Sequence, residues 1–209
     1  MPQVKEPARR GGEGHPPGRD GGGGGGGGGS EAFPVPTARL GLWLFLAVAT
    51  VLFSALMSAY IIRMGYPDWQ PLPEPGLLWV NTGLLLFASG ALQRAVRAAR
   101  RGDGRGVRQG LALGGGLGAL FLLGQLAAWR ELAALGYFVA QGPASSFFYL
   151  ITALHGLHLV GGLVAWGRVT ARARREEAAR VRLAVELTAL YWHFLLVVWL
   201  VLFGLMLVT

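Results

Sequence analysis

The sequence contains no cysteine, which excludes a disulfide framework, a thiolate metal site and a thiol nucleophile. Acid is scarce too: 11 Asp and Glu stand against 19 Lys and Arg, and charged residues make up only 14% of the 209. Soluble domains ordinarily carry about 25%. What is abundant is apolar. Hydrophobic residues reach 53%, and mean hydropathy is +0.45 even though residues 21–29 are all glycine. A soluble enzyme of ordinary composition is excluded, and the body of the chain belongs in lipid.

Crossing about 30 Å of hydrocarbon takes roughly 20 mostly apolar residues in a helix. Five segments qualify, near residues 40–62, 76–96, 109–129, 144–167 and 183–208. The expected fold is an all-α integral membrane protein, a bundle of five transmembrane helices over residues 37–209. Trp43, Tyr60 and Arg63 flank the first span at positions suited to the membrane interface. A loop with Pro67, Pro71, Pro73 and Pro75 precedes the second, and Gly142 with Pro143 marks the start of the fourth. Residues 1–36, rich in Gly and Pro, read as a disordered cytoplasmic tail. They do not read as a signal peptide, because the first apolar stretch begins at residue 40 and is long enough to span.

The arginines give the orientation. Lys5, Arg9, Arg10, Arg19 and Arg39 precede the first span. Arg94, Arg97, Arg100, Arg101, Arg105 and Arg108 are expected in the loop between the second and third, and Arg168, Arg172, Arg174, Arg175, Arg180 and Arg182 in the loop between the fourth and fifth. Of the 19 basic residues only Arg63 and Arg130 fall on the other side. Basic residues stay inside, so the N-terminus is expected in the cytoplasm and the C-terminus outside. The high positive charge is thereby explained by orientation and by attraction to anionic lipid, and nucleic acid is not expected as a partner.

Polar groups at membrane depth are costly, which makes them the first place to look for function. The third span carries Gly110, Gly114 and Gly118 at four-residue spacing, a pattern that lets helices approach closely. Gln125 follows, and Arg130 with Glu131 is expected as an anchoring interfacial pair. The fourth span has the densest polar face: Ser145, Tyr149, Thr152, His155, His158 and Gly162. At 1.5 Å per residue, His155 and His193 each lie roughly 15 Å along their helices, so His155, His158 and His193 are expected in one central layer. Three such histidines could ligate haem, ligate a metal, relay protons or simply hydrogen-bond within the packing. Spacing argues against haem and metal. His155 and His158 sit on adjacent turns, and no carboxylate shares their depth.

Two segments carry a family resemblance. Tyr191, Trp192, His193 and Phe194, followed by Val197, Val198 and Trp199, resemble the closing-helix signature of cytochrome c oxidase subunit III. Ser146, Phe147 and Phe148, leading to His155, Gly156, Leu157, His158, Gly161 and Gly162, resemble the preceding helix of the same family. Weaker echoes are Trp43 to Leu46, Asn81 with Thr82, Gln125, and Glu186 near the start of the last helix. The resemblance covers residues 40–209, and five helices with the N-terminus inside is the form of the shorter bacterial members. Three carboxylates usual in the family are replaced here, by Ala49, Ala128 and Leu196.

The resemblance implies a non-redox subunit of a haem-copper terminal oxidase in a bacterial cytoplasmic membrane. It implies no catalytic residue, metal or cofactor in this chain. Haem and copper would lie in a haem-bearing catalytic subunit I and a copper-binding subunit II, with phospholipid as the ligand this chain could bind. The missing carboxylates and arginine-rich loops argue against a part in proton uptake. Without charged partners, the three histidines are expected to be neutral and satisfied by hydroxyls or backbone carbonyls. The alternatives are an accessory subunit of nitric oxide reductase or a related haem-copper complex, and a small b-type cytochrome using His155 or His158 with His193. A transporter fits least, since only the histidine layer offers polarity at the midplane.

Overall fold

The computed structural model describes residues 37–73 and 76–208; the N-terminal tail read from the sequence lies outside the described residues. The described chain is all helical. Its five helices are α1 (Thr37–Met64), α2 (Leu77–Arg100), α3 (Gly104–Ala134), α4 (Pro143–Arg175) and α5 (Ala178–Leu207). Four of them, α1, α3, α4 and α5, are long and apolar enough to cross a membrane. The exception, α2, is uncharged from Leu77 to Gln93 but carries Asn81, Thr82, Ser89 and Gln93 within that stretch.

The helices run further than the hydropathy pattern indicates. Most of the arginines expected in loops lie on helix: only Arg101, Gly102 and Asp103 separate α2 from α3, and only Glu176 and Glu177 separate α4 from α5. Ala and Arg are strong helix formers, and arginines at a helix C-terminus complement the macrodipole. The helices therefore continue past the apolar boundary until a specific stop. At the end of α2 that stop is Gly102, whose φ of 73° favours glycine. The Gly102 N–H donates to the Ala99 carbonyl (3.2 Å) and the Asp103 N–H to Ala98 (3.0 Å), the Schellman pattern. The Asp103 side chain then accepts from the Gly106 N–H at 2.9 Å and caps α3. Gly136 (φ 91°) closes α3 in the same way. Pro143 stands at the first turn of α4, where its missing N–H leaves no bond unmade.

Helices α2, α3, α4 and α5 pack in sequence around a ring that closes between α5 and α2, while α1 lies against α4 and α5. Much of α1 faces outward, with Trp43, Leu44, Val48 and Val51 exposed. In the last turn of α1, Arg63 grips the Asp68 carboxylate just beyond the helix with both terminal nitrogens, one at 2.7 Å. That hydrogen bond holds the Asp68 carboxyl below the usual carboxylate range, so the pairing is present at neutral pH and is lost only as pH falls through the lowered value. The anchoring pair expected of Arg130 and Glu131 does not form: no ion pair joins them among the described residues. Adjacent residues on a helix point about 100° apart and do not face each other.

The glycines of α3 receive the other helices. A Cβ on Gly110 would stand 2.8 Å from the Ala91 carbonyl oxygen of α2, and one on Gly114 would meet Leu92. A Cβ on Gly115 would run into the Trp166 ring of α4, and one on Gly118 into the Trp192 ring of α5. Gly110, Gly114 and Gly118 are thus one stripe in sequence but serve two neighbours, because each four-residue step turns about 40° around the helix. Replacing Gly118 with Ala is expected to lower stability by about 1–3 kcal/mol through overpacking against Trp192. At Gly116, where nothing lies within 4 Å of a new Cβ, the same change should be neutral or raise stability by up to about 1 kcal/mol through helix propensity. Thermal unfolding of the detergent-solubilised chain, followed by circular dichroism, measures both.

Candidate functional site

The three helix histidines occupy three different environments. His155 is fully buried, and its ring lies among those of Phe53, Phe121 and Trp199 at centroid distances of 6.4, 5.8 and 5.3 Å. Neither ring nitrogen has a hydrogen-bond partner among the described residues. This corrects the expectation of a hydroxyl or carbonyl partner. The nearest hydroxyl along the helix is Thr152, one turn earlier, and it is occupied: it donates to the Phe148 carbonyl (2.6 Å) and accepts from Trp129 Nε1 (3.1 Å).

His158 donates Nδ1–H to the Leu154 carbonyl of its own helix at 2.8 Å, and its backbone carbonyl accepts the Tyr191 hydroxyl at 2.8 Å. Its ring packs against Phe45 and Phe53. His193 turns toward α2, where Nδ1 meets the Ser89 hydroxyl and Nε2 meets Gln93 Oε1 at 3.1 Å. The tautomer with its proton on Nε2 satisfies both contacts, with Gln93 accepting and Ser89 donating. The three histidines expected at one depth thus serve different contacts between helices. His155 and His158 share the Phe53 ring, and His193 belongs to the α2–α5 contact. No group of three His, Asp or Glu that could hold a metal occurs among the described residues.

The aromatic residues of the two motifs fill the space between helices. The Trp192 ring seats against Gly118, and a Cβ on Gly162 would stand 2.8 Å from the Tyr191 ring. Trp199 is fully buried, donates Nε1–H to Thr82 Oγ1 of α2 at 2.9 Å, and meets Phe121 edge to face at 4.9 Å. Phe147 meets Tyr60 of α1 at 5.7 Å, Phe148 is buried, and Phe194 packs against both apolar clusters of the bundle. Gly156 faces α3, where a Cβ would lie 3.7 Å from Leu122. Asn81 Nδ2 donates to Gln125 Oε1 at 3.4 Å, joining α2 to α3.

Among the described residues, Glu186 is the charge with the most ion pairs. Its Oε1 accepts from Arg100 and from Arg182 at 3.1 Å each, and its Oε2 pairs with Arg39 at 3.5 Å. One carboxylate, 17% exposed, thus ties α1, α2 and α5 at their basic ends. The sequence pointed to Glu186 but not to Arg39 and Arg100 as its partners. It missed Arg182 as well, although the four-residue spacing to Glu186 is a signal that could have shown that pair.

Two outcomes separate these environments. Glu186→Gln is expected to cost about 1–2 kcal/mol at low salt and less at high salt, since the partners are half-exposed arginines whose pairing is screened. His193→Leu should cost about 1–2 kcal/mol because it strands Ser89 and Gln93, whereas His155→Leu should be neutral or stabilising because it removes buried groups that have no partner. Unfolding midpoints of the three variants in detergent, with and without added salt, provide the comparison.

A sequence profile of the family described as cytochrome c oxidase subunit III matches residues 28–208. Cytochrome c oxidase subunit 3 of Thermostichus vulcanus is 32% identical over 173 residues, covering 80% of this chain and 85% of that protein. The protein of the same name from Synechocystis is 34% identical over 170 residues, covering 78% of this chain and 72% of its own length. The probable cytochrome c oxidase subunit 3 of Mycobacterium tuberculosis is 31% identical over 170 residues, covering 78% and 84%. The helices and side chains that carry the two aromatic and histidine motifs lie within the matched region, and the chain belongs to the cytochrome c oxidase subunit III family.

Proposed function

We propose that this chain is the non-redox third subunit of a haem-copper terminal oxidase of the aerobic respiratory chain. It packs beside the haem-bearing catalytic subunit, with a copper-binding subunit in the same complex, holds lipid, and stabilises the complex against loss during turnover. In this reading all five helices cross the bacterial cytoplasmic membrane. The N-terminus and both arginine-rich ends lie in the cytoplasm, the C-terminus lies outside, and residues 1–36 form a cytoplasmic tail. The uncharged part of α2 is at the short end of what can span, and of its polar residues Asn81, Thr82 and Ser89 are buried and Gln93 is partly buried.

The observation that carries the reading is how the motif residues are used. His158, Tyr191, His193 and Trp199 each make a hydrogen bond within the chain and across or along helices. They act as structural fasteners. A b-type cytochrome would need His193 to leave Ser89 and Gln93 and meet a histidine of α4, so the geometry disfavours that alternative. The names of the relatives favour an oxidase over nitric oxide reductase.

Purification of the oxidase with and without this chain tests the proposal. Haem and copper content and initial turnover are expected to persist without it, while inactivation during sustained turnover becomes severalfold faster. Equal inactivation rates, or failure of the chain to co-purify with a haem-bearing subunit, would count against it.

A further inference from the structure

At the basic end of the α2–α3 hairpin lies a groove of about 640 Å³ whose lining includes Arg94, Arg97, Arg101 and Asp103. Two facing stripes form it. Ala91, Arg94, Ala98 and Arg101 recur at steps of three and four, which puts them on one face of α2 and its terminus; Gly106, Gly110 and Leu113 do the same on α3. Gly106 and Gly110 bring α2 close here, since a Cβ on either would stand 2.8 Å from the Ala98 or Ala95 methyl, so the two walls meet at small side chains at the bottom of the groove.

The charge in this groove is not balanced. Arg94, Arg97 and Arg101 are exposed, and no ion pair among the described residues includes them. Arg100, between them in sequence, points elsewhere and is taken by Glu186 at 3.1 Å. Asp103 is the acid in the lining, and its carboxylate is engaged with the Gly106 N–H at 2.9 Å. Away from the turn the lining becomes apolar, through Ala91, Ala112 and the half-exposed Leu113. At 1.5 Å per residue, Leu113 lies about 10 Å further along α3 than Gly106. The groove therefore has a cationic head end and an apolar tail end aligned with the helix axis.

We infer that this groove binds an anionic phospholipid, its phosphodiester held by Arg94, Arg97 and Arg101 and one acyl chain leaving across Ala112 and Leu113. The inference rests on the membrane orientation and lipid-holding role proposed above, and gives that role a site. Guanidinium groups match phosphate oxygens in charge and in fork geometry. A soluble phosphate would use the arginines and leave the apolar end empty, and a zwitterionic lipid would use the apolar end while neutralising much of the attraction.

Native mass spectrometry of the full chain in detergent, titrated with phosphatidylglycerol, with phosphatidylcholine of the same acyl chains and with inorganic phosphate, tests it. Phosphatidylglycerol is expected to bind about tenfold or more tightly than either of the others. The triple variant Arg94→Gln, Arg97→Gln, Arg101→Gln should weaken its binding at least about tenfold, whereas Arg172→Gln, Arg174→Gln, Arg175→Gln, with the same charge loss at the end of α4, should change it less than about twofold. Ala112→Trp, which crowds the apolar end and removes no charge, should weaken the lipid and leave phosphate unaffected. Equal losses from both triple variants would mean diffuse attraction and overturn the site. So would phosphate competing as well as lipid, or an unchanged affinity in the first triple variant. Circular dichroism checks folding, and Arg97→Gln alone, with a loss of at least about threefold expected, serves if the triple variant loses helicity. Binding is read on the isolated chain, so failure to co-purify with a haem subunit would defeat the oxidase proposal and leave this result standing.

Discussion

Large side chains seated where α3 has no side chain hold this bundle together. Between helices in hydrocarbon, burying apolar surface gains little because the solvent is itself apolar, and association depends on close packing and a few hydrogen bonds. Helix α3 provides the close approach: Gly110 and Gly114 admit α2, Gly115 admits Trp166, Gly118 admits Trp192 and Gly124 admits Asn81. Further consequences follow from that seating. Trp166 is close enough for its Nε1–H to reach the Leu111 carbonyl at 2.7 Å. Trp192 fixes the rotation of α5, which sends Tyr191 toward α4 and His193 toward α2.

The same geometry explains why the most polar of the helices is also well buried. Asn81, Thr82, Ser89 and Gln93 make α2 a poor candidate for a free membrane helix, yet each finds a partner: Gln125 on α3, Trp199 on α5, and His193 on α5 for the last two. A polar group in lipid is costly unless paired inside the protein, and of the Asn81 amide it is Nδ2 that is paired while Oδ1 is not. Here they are concentrated on the helix that the glycines of α3 draw into the ring, and α1, which has fewer contacts, carries the more uniformly apolar surface.

The apolar runs and the glycine spacing were legible in the sequence because each depends on local periodicity. The aromatic and histidine motifs were legible as a resemblance. What could not be read were the relations between helices. Gly118 belongs with Gly110 by spacing but with Trp192 by contact, since the stripe rotates along the helix. Arg39 and Arg100 became partners of Glu186 only because the helices continue past their apolar segments, and hydropathy assigns such arginines to loops. His155 shows the limit most clearly. A polar residue at membrane depth suggests a functional group or a satisfied hydrogen bond, and it has an aromatic enclosure with neither nitrogen paired.

That enclosure bears on what the bundle can do. Where the family resemblance leads one to expect carboxylates, Ala49 and Ala128 are sealed at 2% and 0% exposure, so an acid at either place would be buried at a cost of several kcal/mol unless paired. The chain instead keeps its best-connected acid, Glu186, at the basic end, where three arginines reach it. Charge is thereby confined to the helix ends, and the interior is neutral and held by tryptophan, tyrosine and histidine hydrogen bonds. An interior fastened in this way, with its charges gripped at one face, is the physical basis of the stabilising role proposed above.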